Sequence, residues 1–391
     1  MKAQNVTREI MTGNEAVATG VKLARVKFIS AYPITPQTAI VEKLAEMVAN
    51  NKINAKFIEV ESEHSAMAST MTSEMTGIRS FTASSSHGVL YMHEMLHWVA
   101  GSRLPVLMAV VNRAIGPPWN IWADQTDSIT QRDTGWMQVY CESNQEAMDS
   151  ILLGYKVAEN KNVMLPIMSM QDAFTLSHTS EPVIIRDESD AYDYIGDLNL
   201  PFSIDLKNPL GYGSLMPPDG PFMELKKDMR DSMYRAIEVV KEETKKFNEK
   251  FNADFPGLIE NFMMEDADYA LITMGSMSST GKYTVRKLRE KGMKVGLIRI
   301  LFYRPFPAEE ILKSIKGLKG LGVLDRSITF GQRGAVYEDV VTSLYNKTDI
   351  PIKNYVIGLG GRDIRVKDYE KMYEGLMEGE DSMEWINVGG K

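Results

Sequence analysis

A chain of 391 residues is too long for one compact core and divides into two or three units. Its 44% hydrophobic and 25% charged residues are those of a soluble globular protein, and a net charge of −8 argues against nucleic acid or an anionic membrane as the main partner. No apolar run approaches the ~20 residues that span a bilayer, and Met1 to Ile10 lacks the apolar stretch of a secretory signal, so a cytoplasmic location is expected.

The first predicted strand is the apolar run Val26 to Ser30. It is closed by Ala31-Tyr-Pro-Ile-Thr-Pro-Gln-Thr38, whose two prolines fix φ and push Tyr32 and Thr35 into extended geometry, and the amphipathic run Ala39 to Ala49 predicts a helix. Lys56 to Glu61 alternates like a strand, and Ser62-Glu63-His64-Ser65 opens a helix that Gly77 ends. Arg79 to Ala83 is the next strand, followed by Ser84-Ser-Ser-His-Gly88 and a helix from Val89 to Val99. Leu104 to Val111 is a continuous apolar run, the mark of a strand covered on both faces, ending at Asn112-Arg113.

This alternation predicts an α/β fold with a parallel sheet and helices on both faces. It also places Tyr32 to Thr35, Glu63, Ser84 to His87 and Arg113 along one edge, at the carboxyl ends of the strands, where ligands bind. Beyond Arg113, Pro117 to Asp127 is an ordered loop able to fold over that edge, and Asp133 to Trp136 continues it. Asn144 to Glu159 predicts a helix, and Val163 to Met170 a buried strand ending at Gln171-Asp172.

From Glu181 to Pro221, prolines, aspartates and glycines replace periodicity, which predicts a long wrapping segment. Phe222 to Phe251 is a charged amphipathic helix. A second, smaller α/β unit starts near Glu265, with strands at Asp268–Met274, Lys294–Leu301, Gly322–Asp325 and Tyr355–Ile357. The expected organisation is therefore 1–230, a bridge over 222–264, and 265–391.

Cys141, the one cysteine, excludes an internal disulfide and any all-cysteine cluster or zinc site within the chain. His93-Glu94-Met-Leu-His97 matches the H-E-x-x-H pattern of zinc hydrolases, but no third histidine follows at the extended spacing, and a packed helix face is the competing reading. The Gly275 to Gly281 loop could bind an anion at a helix N-terminus or be a plain tight turn. Arg113 suits a carboxylate ligand, or a salt bridge with Asp124 or Asp127. Glu63 could be only a favourable charge at a helix N-terminus, or part of a solvated acidic patch with Glu59 and Glu61.

Ala31-Tyr-Pro-Ile-Thr-Pro, Val60-Glu-Ser-Glu-His-Ser-Ala66, Phe81-Thr-Ala-Ser, Met92-His-Glu, Asn112-Arg-Ala, Gln131-Arg-Asp-Thr-Gly-Trp-Met137 and Tyr303-Arg-Pro-Phe-Pro307 resemble the α subunit of 2-oxoacid:ferredoxin oxidoreductases. The likeness is to the pyruvate synthase and 2-oxoisovalerate types and runs from about Gly13 to Gly361. It implies a pyrimidine-binding domain for thiamine diphosphate, followed by a transketolase-C-like domain. The cofactor would be shared with a β subunit that carries the diphosphate and Mg2+, and the chain has no G-D-G…N-N magnesium motif of its own. The [4Fe–4S] clusters would sit on partner subunits, with γ and δ-type (ferredoxin-like) subunits, ferredoxin and coenzyme A as further partners.

By the same resemblance Glu63 would contact the aminopyrimidine N1′, Thr35 and Arg113 would hold the substrate carboxylate, and Tyr32 and Pro33 would line the cofactor ring. No metal ligand is expected on this chain. Thr35 disfavours the dicarboxylate (oxalate) relatives, which have arginine there, while His87 stands where relatives commonly have glutamine. Pro117-Pro-Trp119 and Trp122 resemble the branched-chain type more than the pyruvate type. A zinc hydrolase using His93, Glu94 and His97, or a non-catalytic assembly subunit with a thiamine fold, are the alternatives.

Overall fold

The computed structural model describes residues 7–207, 209–379 and 383–389. Strands Met137–Tyr140, Ile167–Asp172, Leu107–Asn112, Ser80–Ser84, Phe28–Ala31 and Lys56–Glu59 lie side by side in that order, all parallel. Their carboxyl ends therefore share one edge. From Phe28–Ala31 the chain moves outward to Lys56–Glu59, whereas from its neighbour Ser80–Ser84 it moves the other way, to Leu107–Asn112. The two connections diverge, and the crevice between them is where open parallel sheets hold ligands.

Burial follows position in the sheet. Leu107–Asn112 is central and buried at every residue, as its unbroken apolar run requires. Helix Glu63–Glu74 packs on strands Phe28–Ala31 and Ser80–Ser84, and helix Asn144–Ala158 on strands Leu107–Asn112 and Ile167–Asp172. Helix Gly13–Leu23 lies so close to Asn144–Ala158 that a Cβ on Gly20 would come 2.7 Å from the Met148 carbonyl oxygen. No described helix is long and apolar enough to cross a membrane.

A second sheet runs Met383–Trp385, Ile352–Val356, Gly320–Asp325, Tyr269–Met274, Val295–Ile300 and Ile259–Phe262, parallel except for the last. The chain is thus α/β throughout, as expected. The 30-residue helix Phe222–Phe251 links the parts, burying Met229, Ala236, Val240 and Phe247 along one stripe and ending at Asn252 in the left-handed region (φ 46°).

Several elements differ from expectation. The 181–221 segment opens with strand Ser180–Ile185, antiparallel to Thr7–Thr12, and helix Glu188–Ile195. It becomes irregular only after Ile195. The single helix expected over 89–99 is two, Ser86–Tyr91 and His93–Gly101. Tyr303-Arg-Pro-Phe-Pro307 follows a strand of the second unit but does not stay in its sheet. Phe302–Arg304 crosses over and adds an antiparallel edge strand beside Met137–Tyr140.

Charges seal the seam between the two sheets. Arg299, in a strand of the second sheet and 1% exposed, donates to both carboxylate oxygens of Glu146 (2.8 and 2.7 Å) and to Glu260 (2.8 Å). Lys282 pairs with Glu142 and Glu260 beside it. The Gly275 loop does meet an anion, one supplied by this chain: the Ser276 N–H donates to Asp172 Oδ2 at 2.9 Å, and Arg326 stands 3.3 Å from the same oxygen.

Candidate active site

The turn after the first strand is fixed from within. Gln37 accepts from the Ile34 N–H at 3.2 Å and donates to the Ala83 carbonyl at 3.0 Å, tying one wall of the crevice to the other. Asn14 donates to the Pro36 carbonyl at 2.9 Å. This leaves Tyr32 half-buried and Pro33 and Thr35 exposed at the rim.

Arg113 leaves its strand end into the same place and is only 4% exposed. Its Nη1 donates to the Thr35 carbonyl at 2.8 Å and its Nε to the Asn120 carbonyl at 3.3 Å. Among the described residues no carboxylate pairs with this guanidinium. The salt-bridge reading therefore fails in the form anticipated: Asp127 accepts from the Arg113 backbone N–H (3.0 Å), not from its side chain. Burial lowers the pKa of the guanidinium, and the Asp127 carboxylate opposes the shift.

Asp127 is the organising residue that sequence reasoning offered only as a salt-bridge partner. One oxygen accepts from the backbone N–H groups of Ser86 (2.8 Å) and Arg113 (3.0 Å), the other from Asn112 Nδ2 (2.7 Å) and the Ser128 N–H (2.8 Å). It thus pins both turns of the rim. Burial pushes its pKa up to about 7 while these donors pull it down.

Glu63 opens its helix behind Ser62, whose hydroxyl accepts from the Ser65 N–H. Glu63 is 7% exposed, and nothing among the described residues hydrogen-bonds its carboxylate. The Ser84 hydroxyl is likewise buried without a partner. Gly88 lies against both: a Cβ there would come 2.6 Å from Glu63 Oε1 and 2.5 Å from Ser84 Oγ. Gly88→Ala, although the better helix former, should therefore destabilise the chain by about 1–3 kcal/mol through crowding, read as a lower urea midpoint.

His87 clamps the loop beyond Arg113. Ser86 donates its hydroxyl to the Ala114 carbonyl (2.5 Å) and faces His87 Nδ1 at 3.3 Å, while His87 Nε2 accepts from the Gly116 N–H at 3.1 Å. This suits an imidazole protonated on Nδ1. The loop then runs through Trp119, whose ring lies 5.6 Å from the Arg113 guanidinium, to Trp122, packed on Phe174 at 4.6 Å.

The H-E-x-x-H helix gives a different picture. His93 Nδ1 lies 2.5 Å from Gln131 Oε1, and the His93 and His97 rings meet edge to face at 4.9 Å. Among the described residues no cluster of three or more His, Cys, Asp or Glu side chains is placed to hold a metal ion. The hydrolase reading has no support in this geometry.

A family model described as "Pyruvate flavodoxin/ferredoxin oxidoreductase, thiamine diP-bdg" matches residues 19–245, and one described as "Pyruvate:ferredoxin oxidoreductase core domain II" matches residues 267–369. The chain belongs to this oxidoreductase family. It is 43% identical to the ketoisovalerate oxidoreductase subunit VorA of Pyrococcus horikoshii over 98% of this chain and 99% of that one. It is 44% identical to the pyruvate synthase subunit PorA of Pyrococcus furiosus, over 97% and 98%.

Among solved structures, the chain superposes on the 2-oxoglutarate:ferredoxin oxidoreductase from Magnetococcus marinus with 2-oxoglutarate, coenzyme A and succinyl-CoA bound, at a TM-score of 0.70 and 21% identity. The match covers 94% of this chain and 65% of that longer one. A split-gene transketolase, at a TM-score of 0.56 and 11% identity, shares the fold over 94% of this chain and 98% of that one. The family resemblance read from the sequence holds.

Proposed function

We propose that this chain is the α subunit of a thiamine-diphosphate-dependent 2-oxoacid:ferredoxin oxidoreductase, which converts a 2-oxoacid (pyruvate or a branched-chain acid) and coenzyme A to acyl-CoA and CO2 while reducing ferredoxin, reversibly. One observation carries the reading. A buried carboxylate, Glu63, and a guanidinium, Arg113, stand on the rim of a single sheet, the first with no hydrogen-bond partner and the second with no carboxylate among the described residues. The Arg113 guanidinium is met by backbone carbonyls alone and the Glu63 carboxylate by no described hydrogen-bond donor, so the rim keeps a cation and an acid open to a ligand.

The residues present fit the cofactor. Glu63 and the Ser84 hydroxyl offer a polar edge to an aminopyrimidine ring, and the missing Cβ at Gly88 leaves them room. Thiamine diphosphate, when bound, supplies the electron sink that permits C–C cleavage beside a carbonyl. Glu63 would hold the proton at N1′ of the ring. Tyr32 and Pro33 would line the ring, while Thr35 and the Arg113 fork would hold the substrate carboxylate and aim the carbonyl carbon inward.

On this reading residues 1–230 form the pyrimidine-binding domain, 222–264 the bridge and 265–391 a transketolase-C-like domain. The diphosphate and Mg2+ would be held by a β subunit. The [4Fe–4S] clusters would be carried by partners, with γ and δ-type subunits completing the complex and ferredoxin taking the electrons. The lone thiol, Cys141, is buried.

The test is reconstitution. The chain alone should show no 2-oxoacid-dependent viologen reduction and bind thiamine diphosphate poorly, and both should appear when the partner subunits are added. Robust turnover by the single purified chain would defeat the shared site. Running the complex against pyruvate, 2-oxoisovalerate, 2-oxoglutarate and aryl 2-oxoacids assigns the substrate.

A further inference from the structure

The loop that carries Asn120 and Trp122 is held by residues from far along the chain. Asn120 Nδ2 donates to the Gly360 carbonyl at 3.0 Å, and the Gly361 N–H donates to the Ala123 carbonyl at 2.7 Å. The Gly360 N–H reaches Asp124 Oδ2 at 3.3 Å, and the Gln125 N–H donates to the Arg326 carbonyl at 2.9 Å. These contacts join the first unit's rim to a short turn, Leu359–Gly361, of the second.

The turn is shaped for close approach. Gly360 and Gly361 have φ of +60° and +78°, where side chains are strained. A Cβ on Gly360 would lie 2.6 Å from Asn120 Nδ2, and one on Gly361 would lie 2.2 Å from Trp122 Cβ. Arg326 braces it from behind, donating to the Gly358 carbonyl at 3.0 Å while reaching Asp172 at the end of the first sheet's strand.

The far end of this chain of contacts is Arg113. Asn120 uses its side chain twice, donating to Gly360 and accepting from the Trp122 N–H at 2.8 Å, and its own carbonyl accepts from Arg113 Nε. The Trp122 carbonyl in turn accepts from the Ala114 N–H at 2.9 Å, closing the loop onto the residue after Arg113. We propose that the Leu359–Gly361 turn is a positioning element of the active site: it sets the register of the 114–124 loop and, through Asn120, aims the guanidinium that meets the substrate carboxylate. The second unit thereby contributes to substrate recognition without touching substrate. This inference rests on the reading of Arg113 given above.

The test uses Asn120→Ala in the assembled complex. It should speed amide exchange in peptides covering 114–124 and raise KM for the 2-oxoacid by about tenfold, the equivalent of one ~1.4 kcal/mol contact. It should leave kcat and thiamine diphosphate affinity near wild type. Gly361→Ala, which displaces Trp122 rather than removing a bond, should shift the same two readouts in the same direction. Unchanged exchange, or faster exchange with unchanged KM, would overturn the proposal, as would an equal loss of cofactor affinity. Arg113→Ala separates the layers. If it raises KM and Asn120→Ala does not, only the positioning role fails; if Arg113→Ala itself leaves KM unchanged, the reading beneath it fails.

Discussion

Replacing Glu63 with glutamine in the reconstituted complex should lower turnover by about 10²–10⁴-fold, the range lost when a positioned acid–base group is removed. The substitution keeps the shape of the side chain and its place behind the Ser62 cap, and removes only the charge. Because no described protein group bonds the carboxylate, stability should hold, for no internal hydrogen bond is lost. Glu63→Ala should behave alike in turnover. The measurement is steady-state viologen reduction beside urea unfolding of the same preparation. Wild-type turnover would leave Glu63 no catalytic part and favour an assembly subunit. A collapse of stability would make it a residue of the fold.

The second large effect belongs to Arg113. Arg113→Ala should raise KM and lower kcat/KM by ~2–4 kcal/mol equivalent, as expected for the loss of a charge-assisted contact to substrate. The variant also removes the hydrogen bond from Nη1 to the Thr35 carbonyl, so the turn could loosen as well. Arg113→Lys resolves the two, since lysine restores the charge without the planar fork. Partial recovery would point to the carboxylate contact. A steady-state profile unchanged across candidate 2-oxoacids would remove Arg113 from substrate binding.

Much of this site was legible in the sequence because it depends on local order. Strand, stiff turn and helix alternate with spacings that fix a parallel sheet, and a parallel sheet gathers its turns on one edge. The spacing puts Thr35, Glu63, Ser84 to His87 and Arg113 on one expected edge; in the structure Arg113 meets Thr35, and Glu63 lies by Gly88. The rest depends on contacts that spacing does not encode. Asp127 bonds to backbone N–H groups of two separate turns, and no pattern distinguishes such an aspartate from Asp124 beside it. The Gly358–Gly361 run reads only as a turn until Asn120, some 240 residues earlier in the chain, is seen against it.

Other omissions had a signal. Thr12-Gly-Asn-Glu15 is a capping box, with the Thr12 hydroxyl accepting from the Glu15 N–H and the Glu15 carboxylate from the Thr12 N–H; it announces helix Gly13–Leu23. Strand Met137–Tyr140 was hidden for want of length: four residues after a glycine–tryptophan turn show little alternation.

The edge strand Phe302–Arg304 carries a consequence for how the protein is made. As the ribosome releases the chain, the outer margin of Met137–Tyr140 must wait for more than 160 further residues before its neighbour emerges. Until then that margin presents unsatisfied main-chain groups to its surroundings, the kind of template on which nascent chains pair with one another. Completion of the older half is thus coupled to synthesis of the younger, and a chaperone that shields the first would have to stay until the second arrives.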